Sequence, residues 1–292
     1  MRILVIGRDG QLARALAQLN SDALSVRCVG RPELDLLDRD TIGAAITNYS
    51  PDVVINPAAY TAVDKAESEQ DLAFAVNRDG AEHVAAAAKL AGIPLVHIST
   101  DYVFDGHKTS PYVETDTPDP QSVYGCSKLA GEKAVARANP DHVILRTAWV
   151  YSPWGHNFAK TMLRLAGERE VVRVVADQHG TPTYAPYIAD AVAAVVNSIR
   201  TRSNGDWRGL FHLTNEGDTS WADFAAAVFE HSRQRGGPWA RVEPIATKDY
   251  PTPAKRPTNS RLDTTLFSQT FGYAPPHWRE GVRRFSETML PR

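Results

Sequence analysis

Tyr124 and Lys128 bracket the run Tyr124-Gly125-Cys126-Ser127-Lys128. At that spacing a helix carries both side chains on one face, where an ammonium can favour the phenolate and tune the phenol for proton exchange with a carbonyl oxygen. An unperturbed phenol titrates near ~10 and is a slow acid or base at neutrality. The spacing alone suits any solvated helix face, so its surroundings decide. Upstream, Ser99-Thr100-Asp101 ends a strand-like run. Near the amino terminus, Gly7-Arg8-Asp9-Gly10-Gln11-Leu12-Ala13 joins an apolar run to a helical one. Glycines there let a dinucleotide pyrophosphate approach bare backbone at a helix start, and Ala13 is small enough for close helix–strand packing.

The elements that must position these residues alternate. Ile3 to Ile6, Ser25 to Val29, Val53 to Ile55, Pro94 to Ile98 and Val143 to Leu145 read as strands. Gln11 to Leu19, Asp38 to Tyr49, Asp71 to Leu90 and Val123 to Ala138 read as helices. Strands apolar on both faces, each followed by a helix, imply an α/β fold with a doubly wound parallel sheet of the Rossmann kind. Residues 1–150 form the expected dinucleotide-binding domain, completed by 171–215, where Val171 to Val175, Ala185 to Ile199 and Phe211 to Leu213 rejoin the sheet. Residues 151–170 and 216–292 form a smaller C-terminal substrate-binding lobe. Within it Thr219 to Arg233 reads as an amphipathic helix opened by a Thr cap. Pro244 to Pro257 reads as extended and turn-rich rather than a strand interior.

Cofactor choice is commonly made at the end of the second strand, by an acid on the ribose hydroxyl or an arginine for the extra phosphate. Here that end is Val29-Gly30-Arg31-Pro32, with one arginine and no acid, which favours NADPH and leaves NADH use open. Asp35 and Leu36 follow, to cover the adenine edge or to cap a turn.

Composition narrows the partners. The 292 residues, 43% of them hydrophobic, can bury a substantial core. With 32 basic against 34 acidic side chains, no field favours nucleic acid or an anionic membrane, which points to a small molecule. Apolar runs are strand-sized, far short of the roughly 20 residues that span a bilayer. Met1 to Gly7 runs directly into a strand and turn without a signal-peptide pattern, so a cytoplasmic location is expected. Cys28 and Cys126 are too few for a disulfide framework or zinc site.

With Thr100-Asp101-Tyr102-Val103-Phe104-Asp105-Gly106 after the fourth strand and Tyr124/Lys128 in the next helix, the chain resembles the extended short-chain dehydrogenase/reductases. Five further blocks carry the likeness to the dTDP-4-dehydrorhamnose reductase family: Asn56 to Glu67, Lys128 to Glu132, Arg146 to Tyr151, Asn157 to Leu163 and Arg256 to Leu262. They span nearly the whole chain in order. The resemblance implies NAD(P)H-dependent reduction of the C4 ketone of dTDP-4-dehydro-L-rhamnose to dTDP-L-rhamnose, the last step of that pathway. It implies Tyr124 as proton donor, Lys128 as its tuner and holder of the nicotinamide ribose, and Thr100 as a second donor to the same oxygen. It places Gly10, Gln11, Leu12, Ala59, Tyr60 and Thr61 at the cofactor, beside Gly7. Thr100, Asp101, Tyr102 and Trp149 fall to the sugar nucleotide. Arg256 and Asn259 suit its diphosphate, because a guanidinium grips phosphate oxygens in pairs.

Related sugar-nucleotide dehydratases carry Asp-Glu after the strand-end Thr; Asp101-Tyr102 lacks that glutamate, which leaves simple reduction. Another nucleotide-deoxysugar 4-ketoreductase, a 4-epimerase, or a noncatalytic dinucleotide-binding subunit are the rival readings. Some family members dimerise around magnesium held by glutamates. Ala15 and Pro186 stand at the corresponding positions here, so no metal site is expected, and a homodimer is left open.

Overall fold

The computed structural model describes residues 1–202 and 204–290. Ser203, and Pro291 and Arg292 at the end of the expected second lobe, lie outside the described residues. Six strands form the main sheet: β1 (Arg2–Ile6), β2 (Ser25–Val29), β3 (Val53–Asn56), β4 (Leu95–Thr100), β5 (His142–Thr147) and β6 (Gly209–His212). Their order is β2-β1-β3-β4-β5-β6, with every neighbouring pair parallel. The order reverses between β1 and β3. Such a reversal opens a crevice at the carboxyl ends of the strands, where ligands bind in doubly wound sheets.

Alternation within the strands feeds two cores. Ile3 and Val5 of β1 face the helices Gln11–Ala17 and Ala185–Thr201, meeting Leu12, Leu16, Val192 and Val195. Leu4 and Ile6 face the opposite layer of Arg39–Tyr49, Ala81–Leu90 and Val123–Ala138, meeting Ile42, Val84 and Val135. Burial on both sides explains why β3 is apolar up to Asn56.

Four expectations need correction. The helix expected over Asp71 to Leu90 starts at Gln70 and passes through a π-helical turn, Ala75–Gly80. There a Cβ on Gly131 would lie 2.1 Å from the Asn77 carbonyl oxygen, so the wide turn and the glycine together allow the two helices to touch. Val171–Val175 is a strand but does not rejoin the main sheet; it pairs in parallel with Arg241–Ile245. That second strand contains Pro244, tolerated because it has a neighbour on one side only. The helix expected to open at a Thr cap is Trp221–Gln234, capped by the Ser220 hydroxyl accepting from Asp223 N.

Helices Phe158–Ala166, Trp221–Gln234 and Trp278–Met289 pack with the Val171–Val175 strand around Tyr151, Phe224, Val228 and Phe285, a separate core beside the sheet's carboxyl edge. No helix among the described residues is long and apolar enough to cross a membrane.

Candidate active site

A cavity of about 780 Å³ opens over the β1/β3 reversal. The glycine turn, Pro57 to Thr61, the end of β4, the Tyr124 helix and the Thr147 to Asn157 segment all reach it.

The turn is shaped for close approach. Gly7 has φ +124°, a conformation that side chains resist, and its N–H bonds to Val29 O at 2.6 Å. Gly10 precedes helix Gln11–Ala17 without a side-chain cap, and nothing lies within 4 Å of where its Cβ would be. The cavity therefore meets bare backbone there, as a dinucleotide phosphate requires. Leu12 and Ala13 line the same wall. Gln11 does more than line it: its Oε1 accepts from Ser152 Oγ at 2.9 Å and Asn157 Nδ2 at 3.0 Å, tying the turn to the segment beyond β5.

Ala59 and Thr61 line the cavity, whereas the Tyr60 side chain turns away. Its hydroxyl bonds Glu69 at 2.6 Å, and that bond pushes the phenol up to about 12. Buried Asn77, on the π turn, holds both backbone groups of Tyr60 and donates to Ser127 Oγ at 2.9 Å. The segment at the cofactor wall is thus registered to the helix bearing Tyr124. Arg31, Asp35 and Leu36 do not line the cavity. Arg31 is exposed at the end of β2, Asp35 is held by Thr41, and Leu36 lies against Gly80.

The chemically versatile groups converge. Lys128 is 2% exposed and donates to Ile98 O at 2.7 Å. An ammonium has three N–H groups, so two more remain for the cavity. Burial drives its titration down to about 8, with Glu132 pulling the other way. Tyr124 lines the same wall, edge-on to Tyr102 at 5.5 Å between ring centres. Burial raises its phenol strongly and the neighbouring Thr100 hydroxyl opposes that. The expected depression by Lys128 is therefore corrected: the low-polarity surroundings dominate and the phenol stays protonated, the form a proton donor needs.

Thr100 Oγ1 donates to Asp101 Oδ1 at 3.0 Å and accepts from Tyr102 N at 3.2 Å. Burial raises the Asp101 carboxyl to about 6, with hydrogen bonds from Ser260 and Thr100 opposing that rise.

At the far end Trp149 lines the cavity with φ +48°, an uncommon conformation for a bulky residue. Its indole stacks on Trp221 at 3.5 Å. Arg256 bonds Tyr102 Oη at 2.9 Å and Asp64 Oδ2 at 2.7 Å, and Asp64 also accepts from Ala254 N. Asn259 is buried and holds the carbonyls of Lys108 and Ser110, outside the cavity wall. Thr147, Gly155, His156 and Asn157 reach the cavity without having been singled out as site residues. Thr147 and Asn157 sit in the blocks that carry the family likeness, and Asn157 also carries the signal of a helix cap before Phe158.

The family model described as the RmlD substrate binding domain matches residues 1–290. The chain is 49% identical over 290 residues to the dTDP-4-dehydrorhamnose reductase of Sinorhizobium fredii, covering 99% of this chain and 98% of that one. A solved dTDP-4-dehydrorhamnose reductase from Clostridium acetobutylicum superposes with TM-score 0.91 at 38% identity, covering 99% of each chain. Another, from Bacillus anthracis in complex with NADP, gives TM-score 0.90 at 35% identity, covering 97% of this chain and 98% of that one.

Proposed function

Since the chain belongs to the dTDP-4-dehydrorhamnose reductase family, we propose that Tyr124, Lys128 and Thr100 perform its chemistry. The protein is an NAD(P)H-dependent oxidoreductase that reduces dTDP-4-dehydro-L-rhamnose to dTDP-L-rhamnose, the final step of dTDP-rhamnose biosynthesis. What carries the assignment of roles is one juxtaposition: the glycine turn, Thr100, Tyr124 and Lys128 all face a single cavity.

The turn fits a dinucleotide, since Gly7 and Gly10 leave its backbone open. Gly7, Gly10, Gln11, Leu12, Ala59 and Thr61 hold the cofactor, with Tyr60 contributing through its backbone. When bound, the nicotinamide supplies a hydride to C4. NADPH is the preferred form because the end of β2, Val29-Gly30-Arg31-Pro32, carries an exposed arginine and no acid.

As negative charge grows on the C4 oxygen, Tyr124 gives up its proton. Its raised pKa keeps that proton in place until an alkoxide, a far stronger base than a phenolate, takes it. Lys128 stabilises the resulting phenolate and holds the ribose through its remaining N–H groups. Thr100 has one hydroxyl proton, now given to Asp101; protonated Asp101 can instead donate to Thr100 and free that proton for the substrate oxygen. Such a donor aimed at developing charge lowers the barrier. Asp101, Tyr102 and Trp149, which line the cavity, receive the sugar. Arg256 holds the diphosphate with the N–H groups that Asp64 and Tyr102 leave over, and Asn259 shapes the loop beside it.

The enzyme works in the cytoplasm on a soluble nucleotide sugar. The test is NADPH oxidation on adding dTDP-4-dehydro-L-rhamnose, with the product identified. Formation of dTDP-L-rhamnose is expected; cofactor binding without turnover would overturn the assignment.

A further inference from the structure

A buried ion pair stands directly behind the Tyr124–Lys128 face. Glu132 lies one turn beyond Lys128 on helix Val123–Ala138 and is 4% exposed. Its carboxylate takes a two-pronged bond from Arg146 of β5, Nε to Oε1 at 2.9 Å and Nη2 to Oε2 at 2.7 Å. Oε1 also accepts from the Ser99 hydroxyl of β4. Arg146 is equally buried, lies over the Phe104 ring at 4.9 Å, and has its Nη1 without a partner. The helix is thus fastened to consecutive residues of β4, to Ile98 by Lys128 and to Ser99 by Glu132, immediately before Thr100.

Well-packed hydrocarbon can often replace such a pair without loss of stability, so stability alone is a weak reason for it. Its charge has a neighbour to serve. From β4, His97 faces Lys128 and is held neutral by burial. From the turn after β4, Asp101 and Tyr102 share its cavity, as does Tyr124 of its own helix. On the adjoining helical segments, Arg78 pairs with Asp79, Glu82 with Arg137 and Asp64 with Arg256. From β5, Arg146 is turned onto Glu132. Among these, Glu132 is the group that pulls the Lys128 ammonium back toward the charged form.

We propose that Glu132, anchored by Arg146 and Ser99, is a positioning residue that keeps Lys128 cationic and holds its helix in register with Thr100. The inference rests on the role given above to Lys128. A carboxylate one turn away offsets the burial of the ammonium, and the Ser99 bond fixes the distance between the two elements that must meet at the substrate oxygen.

The test follows the Lys128 ammonium in protein labelled at lysine Cε by NMR titration, its signal identified by absence from Lys128→Met, alongside the pH profile of turnover. Two variants are compared with the parent: Glu132→Gln, and Glu132→Gln with Arg146→Met, which removes both charges and so avoids a lone buried guanidinium. In the double variant the Lys128 midpoint and the alkaline fall in activity should both move to lower pH, by roughly half a unit, because the Arg146 cation leaves together with the Glu132 carboxylate. A folded double variant in which Lys128 titrates as in the parent, with Lys128→Met inactive, overturns this inference alone. Turnover retained by Lys128→Met overturns the reading of Lys128 and this inference with it. A double variant that cannot fold would assign the pair to stability and equally overturn the proposal.

Discussion

Trp149 stacks on Trp221 with ring centres 3.5 Å apart and planes 11° from parallel, so a cavity residue just beyond β5 leans on the second core. The stack is confined from below: a Cβ on Gly180 would come within 2.6 Å of the Trp149 ring. The indole, already at φ +48°, has one place to sit.

Gly180→Ala should therefore displace Trp149 without touching the glycine turn. KM for the sugar nucleotide is expected to rise about tenfold, the worth of one aromatic contact, while KM for NADPH stays the same. Steady-state kinetics with each substrate varied checks this; a rise confined to NADPH would contradict it.

Asp101 gives a stability prediction with a definite sign. Its folded pKa, about 6, lies above its ordinary 3.8, so the folded state holds its proton more tightly. Below the ordinary value both states are protonated and nothing is lost. As pH rises through that window the unfolded state ionises first, and the folded state loses up to roughly 3 kcal/mol by the time the folded group has titrated. Asp101→Asn should melt higher than the parent at pH 7.5, with the gap closing toward pH 4 (about the ordinary value), and should turn over more slowly. Equal melting temperatures at both pH values would contradict the burial assigned to this carboxyl.

Arg31 is exposed at the end of β2 and tests cofactor choice. Arg31→Ala should lower the ratio of kcat/KM for NADPH over NADH by about tenfold, the loss of one charge-assisted contact to phosphate. An unchanged ratio would place discrimination elsewhere.

Much of this was legible because it is local. Helix Val123–Ala138 and strand β2 fall where periodicity puts them, and the Tyr124/Lys128 face follows from spacing within one helix. What depends on distant partners was not. Val171–Val175 has the pattern of a strand, but nothing in it says that its neighbour is Arg241–Ile245 rather than the main sheet. Arg256 reads as a free phosphate holder until Asp64, 192 residues away, is found against it. Glu132 and Arg146 look like surface charges by type, yet both are buried. The direction of the Tyr124 shift was missed for the same reason: a lysine four residues away is visible in the chain, while the burial that outweighs it is a property of the fold.

The central claim, that Tyr124 donates the proton to the C4 oxygen, is tested most directly by Tyr124→Phe. The phenyl ring keeps the packing against Tyr102 and removes only the hydroxyl. Single-turnover reduction of dTDP-4-dehydro-L-rhamnose should slow by about 10²- to 10⁴-fold, the span of general acid catalysis, with NADPH affinity unchanged. A variant that reduces the ketone at the parental rate would contradict the account.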